Sequence, residues 1–272
     1  MSQQIPPGTA TRPHTARLYD FYLGGKTNYS PDREVAVEGL KLFPNAMIAA
    51  RQNRAFMHRV VRHLARERGV RQFLDIGTGI PTAPNLHQVA QQEQPTARVV
   101  YSDNDPIVLA HARALMTSTP EGVTEYVEAD VRSPEAILER ARETLDFSEP
   151  VALTVIALFH FIEDTHEPQA LVRRLLEEFP SGSALALSHA TEDFDPEGMR
   201  LIADRYRQAN MRVRLRSHKE VAGFFDGLEL VEPGLTATCD WRLDLDTDDV
   251  PQLPGMVTPA EAGVWAGLGF KP

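Results

Sequence analysis

The chain has 272 residues, enough for a sizeable buried core in one domain with an elaborated end. Apolar residues make up 42% and charged residues 24%, a globular balance that excludes a disordered, collagenous or disulfide-stapled chain. With 38 acidic residues against 28 basic ones, the formal charge of −10 repels polyphosphates and argues against nucleic acid as a partner.

The N-terminal string MSQQIPPGTATRPHT lacks the basic-then-apolar layout of a secretory signal, and no apolar run approaches the roughly 20 residues that span a bilayer. A cytoplasmic protein without membrane contact is expected. Tyr19 and Tyr22, three apart before Gly24-Gly25, share one face of a helix. That face suits either a lid that closes over a ligand or an aromatic surface that packs the segment onto the rest. Ala36, Leu40 and Phe43, then Phe56, Val60 and Leu64, recur at helical spacing, and Gly69 supplies a stop. Residues 1–70 therefore read as a helical extension and 71–272 as the main domain. Arg51 and Arg54 on the long helix are given no chemistry.

Beyond Gly69 short apolar runs alternate with amphipathic stretches. Residues 71–76, 98–102, 123–127, 151–159 and 183–188 read as strands, and their continuous apolar character suggests burial on both faces. Pro106, Pro134 and Pro168 stand at first helical positions, with Asp105 and Ser133 as capping candidates. Alternating strand and helix implies a parallel sheet with right-handed crossovers. Residues 196–210 and 217–225 read as further helices, and 228–231 and 264–268 as closing strands. Cys239, the single cysteine, excludes an internal disulfide and reads as a small half-buried side chain.

The chemistry is expected at the strand ends. In FLDIGTGIP, residues 73–81, an apolar strand runs into Gly77 and Gly79, which permit a tight turn and a close backbone approach by a ligand. A dinucleotide fingerprint would place a third glycine where Thr82 stands, so the full phosphate-binding pattern is absent. Asp103 ends the next strand, where a carboxylate can accept from a ribose diol, or can serve as a helix-start turn residue. Asp130 ends the one after, in EADVRSP, where it could accept from an adenine amino group or cap a turn.

These strings resemble class I methyltransferases that use S-adenosylmethionine (SAM), and more closely a bacterial family known as S-adenosyl methyltransferases. RLYDFYLGGKTNY (17–29), QFLDIGTGIPT, VVYSDNDPIVLAHARAL, LFHFIED (158–164), FFDGLELVEPGL (224–235) and the closing GLGFKP are similar to its recurrent strings, in order, along nearly the whole chain. The resemblance implies a Rossmann-like α/β fold with a mostly parallel seven-stranded sheet, an antiparallel last strand and a helical N-terminal extension. It also implies SAM as cofactor, with no phosphate to seat, which fits Thr82 in place of a glycine. Cofactor contacts are then expected from Asp75, Gly77, Thr78 and Gly79, from Asp103 and Asn104, from Asp130 and Val131, and from Phe159, Phe161, Tyr19, Tyr22 and Gly25. Pro84 and Trp265 depart from the family pattern.

His160 follows the apolar run at residues 151–159, which places it at a strand end as a general base or as a pocket wall. His160, Glu163, Asp164 and His166 have no regular ligand spacing, so no metal is expected. The implied reaction is methyl transfer to an unidentified small-molecule nucleophile by in-line displacement. A non-catalytic SAM-binding regulator would carry the same motifs. Acceptor and oligomeric state are not written in the sequence.

Overall fold

The structure, a computed structural model, describes residues 11–246 and 253–272. Three helices precede the first strand: α1 (Thr15–Tyr22), α2 (Ser30–Leu42) and α3 (Ala46–Arg62), the last running on into a π-helical turn over His63–Glu67. From there strands and helices alternate. The strands are β1 (Gln72–Ile76), β2 (Arg98–Asp103), β3 (Val123–Glu128), β4 (Ala152–Ile156) and β5 (Ala184–Ala190). Between them lie α4 (Leu86–Glu93), α5 (Pro106–Leu115), α6 (Pro134–Ala141) and α7 (Pro168–Glu177). The tail adds α8 (Pro196–Gln208), α9 (His218–Ala222), β6 (Glu229–Leu230), β7 (Thr236–Ala237), α10 (Pro259–Ala262) and β8 (Val264–Phe270).

Proline opens α5, α6 and α7 as expected, because its fixed φ suits the first turn and its missing N–H is not needed there. Asp105 caps α5 by accepting from the Ile107 N–H at 2.9 Å, whereas Ser133 makes no side-chain cap bond. The sheet order is β3-β2-β1-β4-β5-β8-β6, with β1 to β5 parallel and β8 antiparallel to β5. The sheet is Rossmann-like, and it has eight strands where seven were expected. Short β6 and β7 pair with opposite ends of β8, at Phe270 and at Ala266, so the seventh position is split in two. Short, interrupted edge strands of this kind limit pairing with other chains.

Alternate strand residues feed two apolar layers. Phe73 and Val99 pack with Phe56 and Val60 of α3 and Leu64 of the π-helical turn on one face, while Leu74, Val100 and Leu153 pack with Ile137 of α6 and Val172 of α7 on the other. The core thus crosses residue 70: α3 is a layer helix of the sheet, and only α1 and α2 stand outside it. These two join α8 and the first turns of α3 in a third cluster around Leu18, Tyr22, Phe43 and Ile202. β3 departs from full burial because it forms the other edge of the sheet.

The expected strand at 151–159 stops at Ile156. Ala157 takes a positive φ of 55° and residues Phe159–Phe161 form a 3-10 turn. Its apolar run continues because Phe159 turns into the core, where its ring packs 5.2 Å from that of Phe224.

Candidate functional site

The parallel strands end against a cavity of about 660 Å³, floored by the residues that follow β1 to β4 and roofed by α1, the start of α3 and α8. Open α/β sheets bind ligands at this end.

Gly77, Thr78 and Gly79 carry the chain from β1 across the end of β2. The Gly77 N–H donates to the Ser102 carbonyl at 2.8 Å, and both glycines hold left-handed φ, +75° and +68°. A Cβ on Gly77 would stand 2.8 Å from the Leu158 side chain, which would have to shift, and the left-handed backbone is what demands glycine. One on Gly79 would meet nothing within 4 Å, which leaves open space at a residue lining the cavity. Beneath the loop, Asp75 accepts from the Thr154 hydroxyl at 2.6 Å. Burial pushes its carboxyl up to about 6, against the lowering pull of Thr154 and the Arg54 charge.

Asp103 accepts the Gly79 N–H at 3.0 Å on one oxygen and the Asp105 N–H at 2.9 Å on the other. Each oxygen keeps a second lone pair. Burial raises its carboxyl above the usual range, and the two N–H groups restrain that rise. The hydroxyl of Ser102, also in the wall, is buried and has no hydrogen-bond partner.

Asp130 is more committed than its expected role allows. It accepts from the Arg132 N–H, Nε and Nη2 at 2.9, 2.8 and 2.5 Å and from Asn104 Nδ2 at 3.0 Å. Those four bonds fill its lone pairs and hold its carboxyl far below the ordinary value, Arg132 acting most strongly. A ligand amino group must therefore displace Asn104 or the half-exposed Arg132.

The roof is joined to this floor by buried polar contacts. Arg17, 1% exposed, reaches from α1 to Asp32 at 2.8 Å and Asp105 at 3.5 Å, and so ties the starts of α2 and α5 together beside Asp103. Tyr19 donates to the Ala50 carbonyl at 3.1 Å and accepts from Asn53 at 2.9 Å, whose other end accepts from Ser188 of β5 at 2.5 Å. The Tyr22 and Tyr206 hydroxyls meet at 2.7 Å.

Arg54 corrects the expectation of an inert arginine. Its guanidinium lines the cavity and donates to the carbonyls of Thr82 and of Pro84, the latter at 2.9 Å, so it braces the glycine loop. Its Nε is buried without a partner, and burial lowers its pKa. Helical spacing alone could not have singled it out, since nothing local marks which arginine of α3 faces the loop.

Thr78, Asn104, Val131, Phe161, Tyr19 and Tyr22 all line the cavity, as do Asp75, Gly77, Gly79, Asp103 and Asp130. Two expected contacts do not. Gly25 closes a tight turn in which a Cβ would fall 2.0 Å from Asp20 Oδ1, and its role is to let the loop seat that carboxylate against Asn28. Phe159 is fully buried in the core and offers only its carbonyl, which accepts from Arg216 at 2.8 Å. Trp265 lies outside the cavity, where its indole donates to Asp193 at 2.8 Å. Cys239 is buried, its thiol pushed up to about 11 by burial and the neighbouring Asp240.

His160 lines the cavity from the 3-10 turn after β4. Its Nδ1 accepts from the Ala190 N–H at 3.4 Å, and its ring lies 4.2 Å from that of Phe161 and 5.6 Å from that of His189. Burial, with the Arg216 charge in support, pushes its pKa down to about 3. Arg216, 1% exposed, holds the turn by donating to the carbonyls of Phe159 and Ile162, to Asp164 and to the His189 ring. Glu163 pairs with Arg212, and Asp164 with Arg214 and Arg216, so the acidic residues of this string are committed to arginines. Among the described residues, no group of three His, Cys, Asp or Glu is placed to hold a metal ion.

Comparison with known proteins gives this chain's relatives. A family model described as S-adenosyl methyltransferase matches residues 3–272. The crystal structure of a DUF574 family protein from Streptomyces avermitilis is 46% identical, covers 97% of this chain and 99% of its own, and superposes with a TM-score of 0.91. That of a "putative methyltransferase" from Thermobifida fusca is 36% identical, covers 99% of both chains and gives 0.87. No curated protein matches significantly.

Proposed function

Because the chain belongs to the S-adenosyl methyltransferase family, with SAM as its cofactor, we propose that SAM lies along the carboxyl ends of β1, β2 and β3 and leaves the α8 side of the cavity to a small-molecule acceptor. The donor set fits such a ligand: open space at Gly79, a spare lone pair on each Asp103 oxygen, and unpartnered buried groups at Ser102 and Arg54. The observation that carries the reading is Asp103, whose carboxylate is fixed by two backbone N–H groups while it can still accept both hydroxyls of a ribose.

SAM supplies an electrophilic methyl on a sulfonium that is already a good leaving group. The protein's work is alignment in a dry site, and orientation alone can supply roughly 7–11 kcal/mol of barrier reduction. Asp103 sets the ribose. Asp75, held in place by Thr154, takes the ammonium of the methionine end. Val131 and Phe161 flank the adenine, with Asp130 accepting its amino group once Asn104 turns away. Arg54 keeps the glycine loop in position, and the α1 and α8 side chains exclude water. A SAM held there would offer its methyl to the acceptor's lone pair, the carbon–sulfur electron pair staying with S-adenosylhomocysteine and the acceptor's proton passing to water.

No helix among the described residues is long and apolar enough to cross a membrane. Calorimetry with SAM and S-adenosylhomocysteine tests the reading: both should bind without added metal, and Asp103→Ala should bind weakly. Tighter binding of NAD than of SAM, or unchanged affinity in Asp103→Ala, would overturn this assignment of the site.

A further inference from the structure

Past the strand ends the cavity continues between α1, the start of α3 and α8, where its chemistry changes. Leu18, Phe43, Met199 and Ile202 line this part and belong to one buried apolar cluster. Arg54 of α3 is turned to the glycine-loop carbonyls, and Arg212 and Glu163 pair with each other at the rim, where they are 61% and 47% exposed. Tyr22 and Tyr206 are among its polar groups, with Tyr19 and Asn53 bonded to each other and Asn210 just past α8. Burial pushes Tyr22 up to about 12 and raises Tyr206 well above its ordinary value, so both stay phenols at neutral pH.

The pair has bonding capacity left over. Two phenols bring two hydrogens and four lone pairs. One hydrogen lies between the rings at 2.7 Å, and the other contact of Tyr22, to the Ala36 carbonyl, is stretched to 3.5 Å. A ligand group that both donates and accepts can complete the set. An ion cannot be accommodated so well, because no counter-charge is buried near these phenols and an unpaired ion taken from water carries a large desolvation cost.

Building on the SAM-site reading, we propose that the methyl acceptor is an uncharged, mainly apolar molecule whose polar handle is a hydroxyl seated on the Tyr22–Tyr206 pair. An anionic acceptor would also meet the overall charge of −10. A cationic one would find no buried carboxylate among the described residues that line this half of the cavity.

Three probes of one shape and different charge test this: 2-naphthol, 2-naphthoate and 2-naphthylmethylammonium, titrated at pH 7.5 into protein saturated with S-adenosylhomocysteine. 2-Naphthol should bind at least about tenfold more tightly than either ion. Tyr206→Phe should weaken 2-naphthol by about two- to tenfold, the loss of one neutral hydrogen bond, and leave S-adenosylhomocysteine affinity unchanged. Equal or tighter binding of a charged probe overturns the inference, as does unaltered naphthol binding in Tyr206→Phe, or failure of all three to bind the loaded protein. Failure of S-adenosylhomocysteine itself to bind brings down the cofactor reading and this inference together, whereas loaded protein without the neutral preference brings down this inference alone.

Discussion

The two halves of the cavity are built in different ways. The cofactor half is made of residues at or just past strand ends, from Asp75 to Arg132, and the backbone fixes them: Gly77 holds a left-handed φ and Asp103 is held by two N–H groups. The acceptor half comes from α1, α3 and α8, where Leu18 meets Met199 and Tyr22 meets Tyr206 across most of the chain length. In the first half a single residue type at a single position is required. In the second only size, apolarity and two hydroxyls matter, so it can be rebuilt for another acceptor while the sheet stays intact.

A sharp break in that contrast is Arg17, which belongs to the roof and is anchored like the floor. Its side chain is 1% exposed and faces Asp32 and Asp105, which are 0% and 4% exposed. Arg17→Ala strands two buried carboxylates, and breaking such a pair costs about 3–5 kcal/mol. Urea unfolding of ligand-free wild type and variant measures it. A loss under about 1 kcal/mol would show that α1 is a lid separable from the fold.

The next largest effect isolates the floor. Asp103→Ala should weaken S-adenosylhomocysteine by about 1.5–3 kcal/mol, the range for a hydrogen bond to a charged group. Calorimetry gives the affinity, and a thermal scan of the same samples shows whether the loop has kept its fold. A change in melting temperature with unchanged affinity would make Asp103 a loop fastener and nothing more.

This division also explains what the sequence made legible. Gly77, Gly79, Asp103 and Asp130 were readable because a strand end followed by a turn leaves a local mark. Gly25 carried the same mark and misled: its turn serves Asp20 and Asn28, and a glycine demanded by packing looks like one demanded by a ligand. Phe159 misled because an apolar run does not reveal that the backbone turns at Ala157 and sends the ring into the core. Arg54, Arg17 and the Tyr22–Tyr206 pair were out of reach, since each acts through partners 15 to 184 positions away. The parallel order of β1 to β5 followed from alternation alone, whereas the split edge at β6 and β7 rests on two-residue pairings too short to leave a pattern.

Asp75 sharpens the comparison through pH. Its folded pKa of about 6 lies above the ordinary 3.8, so the folded state holds the proton more tightly than the unfolded one. Its contribution to stability therefore falls as pH rises from about 4 to about 6 and is level above that. Asp75→Asn should be more stable than wild type at pH 7.5 by about 1–3 kcal/mol, with the advantage gone near pH 4. Ligand binding should run the other way, because the methionine ammonium calls for the ionised form. Wild-type affinity for S-adenosylhomocysteine should be about tenfold lower at pH 5 than at pH 7.5, and the variant should show neither that slope nor wild-type affinity. Parallel pH slopes in the two proteins would remove Asp75 from the ligand.

The smallest effect is expected at His160, on the border between the halves. A general base works best with a pKa near the working pH, and this imidazole is pushed down to about 3 by burial and by Arg216. With Nδ1 accepting from the Ala190 N–H, the ring hydrogen belongs on Nε2, so the nitrogen left for a ligand is a donor and cannot take a proton from one. General-base assistance is typically worth about 10²–10⁴-fold, and we predict far less here: once an acceptor is in hand, His160→Ala should lose less than about tenfold in single-turnover rate. The protonation state can be checked without an acceptor. ¹⁵N spectra of the loaded protein should show the His160 ring neutral, protonated on Nε2 and unchanged from pH 5 to pH 8. A titration within that window, together with a rate loss above a hundredfold, would restore His160 as the base and move the proton-accepting chemistry to the floor of the cavity.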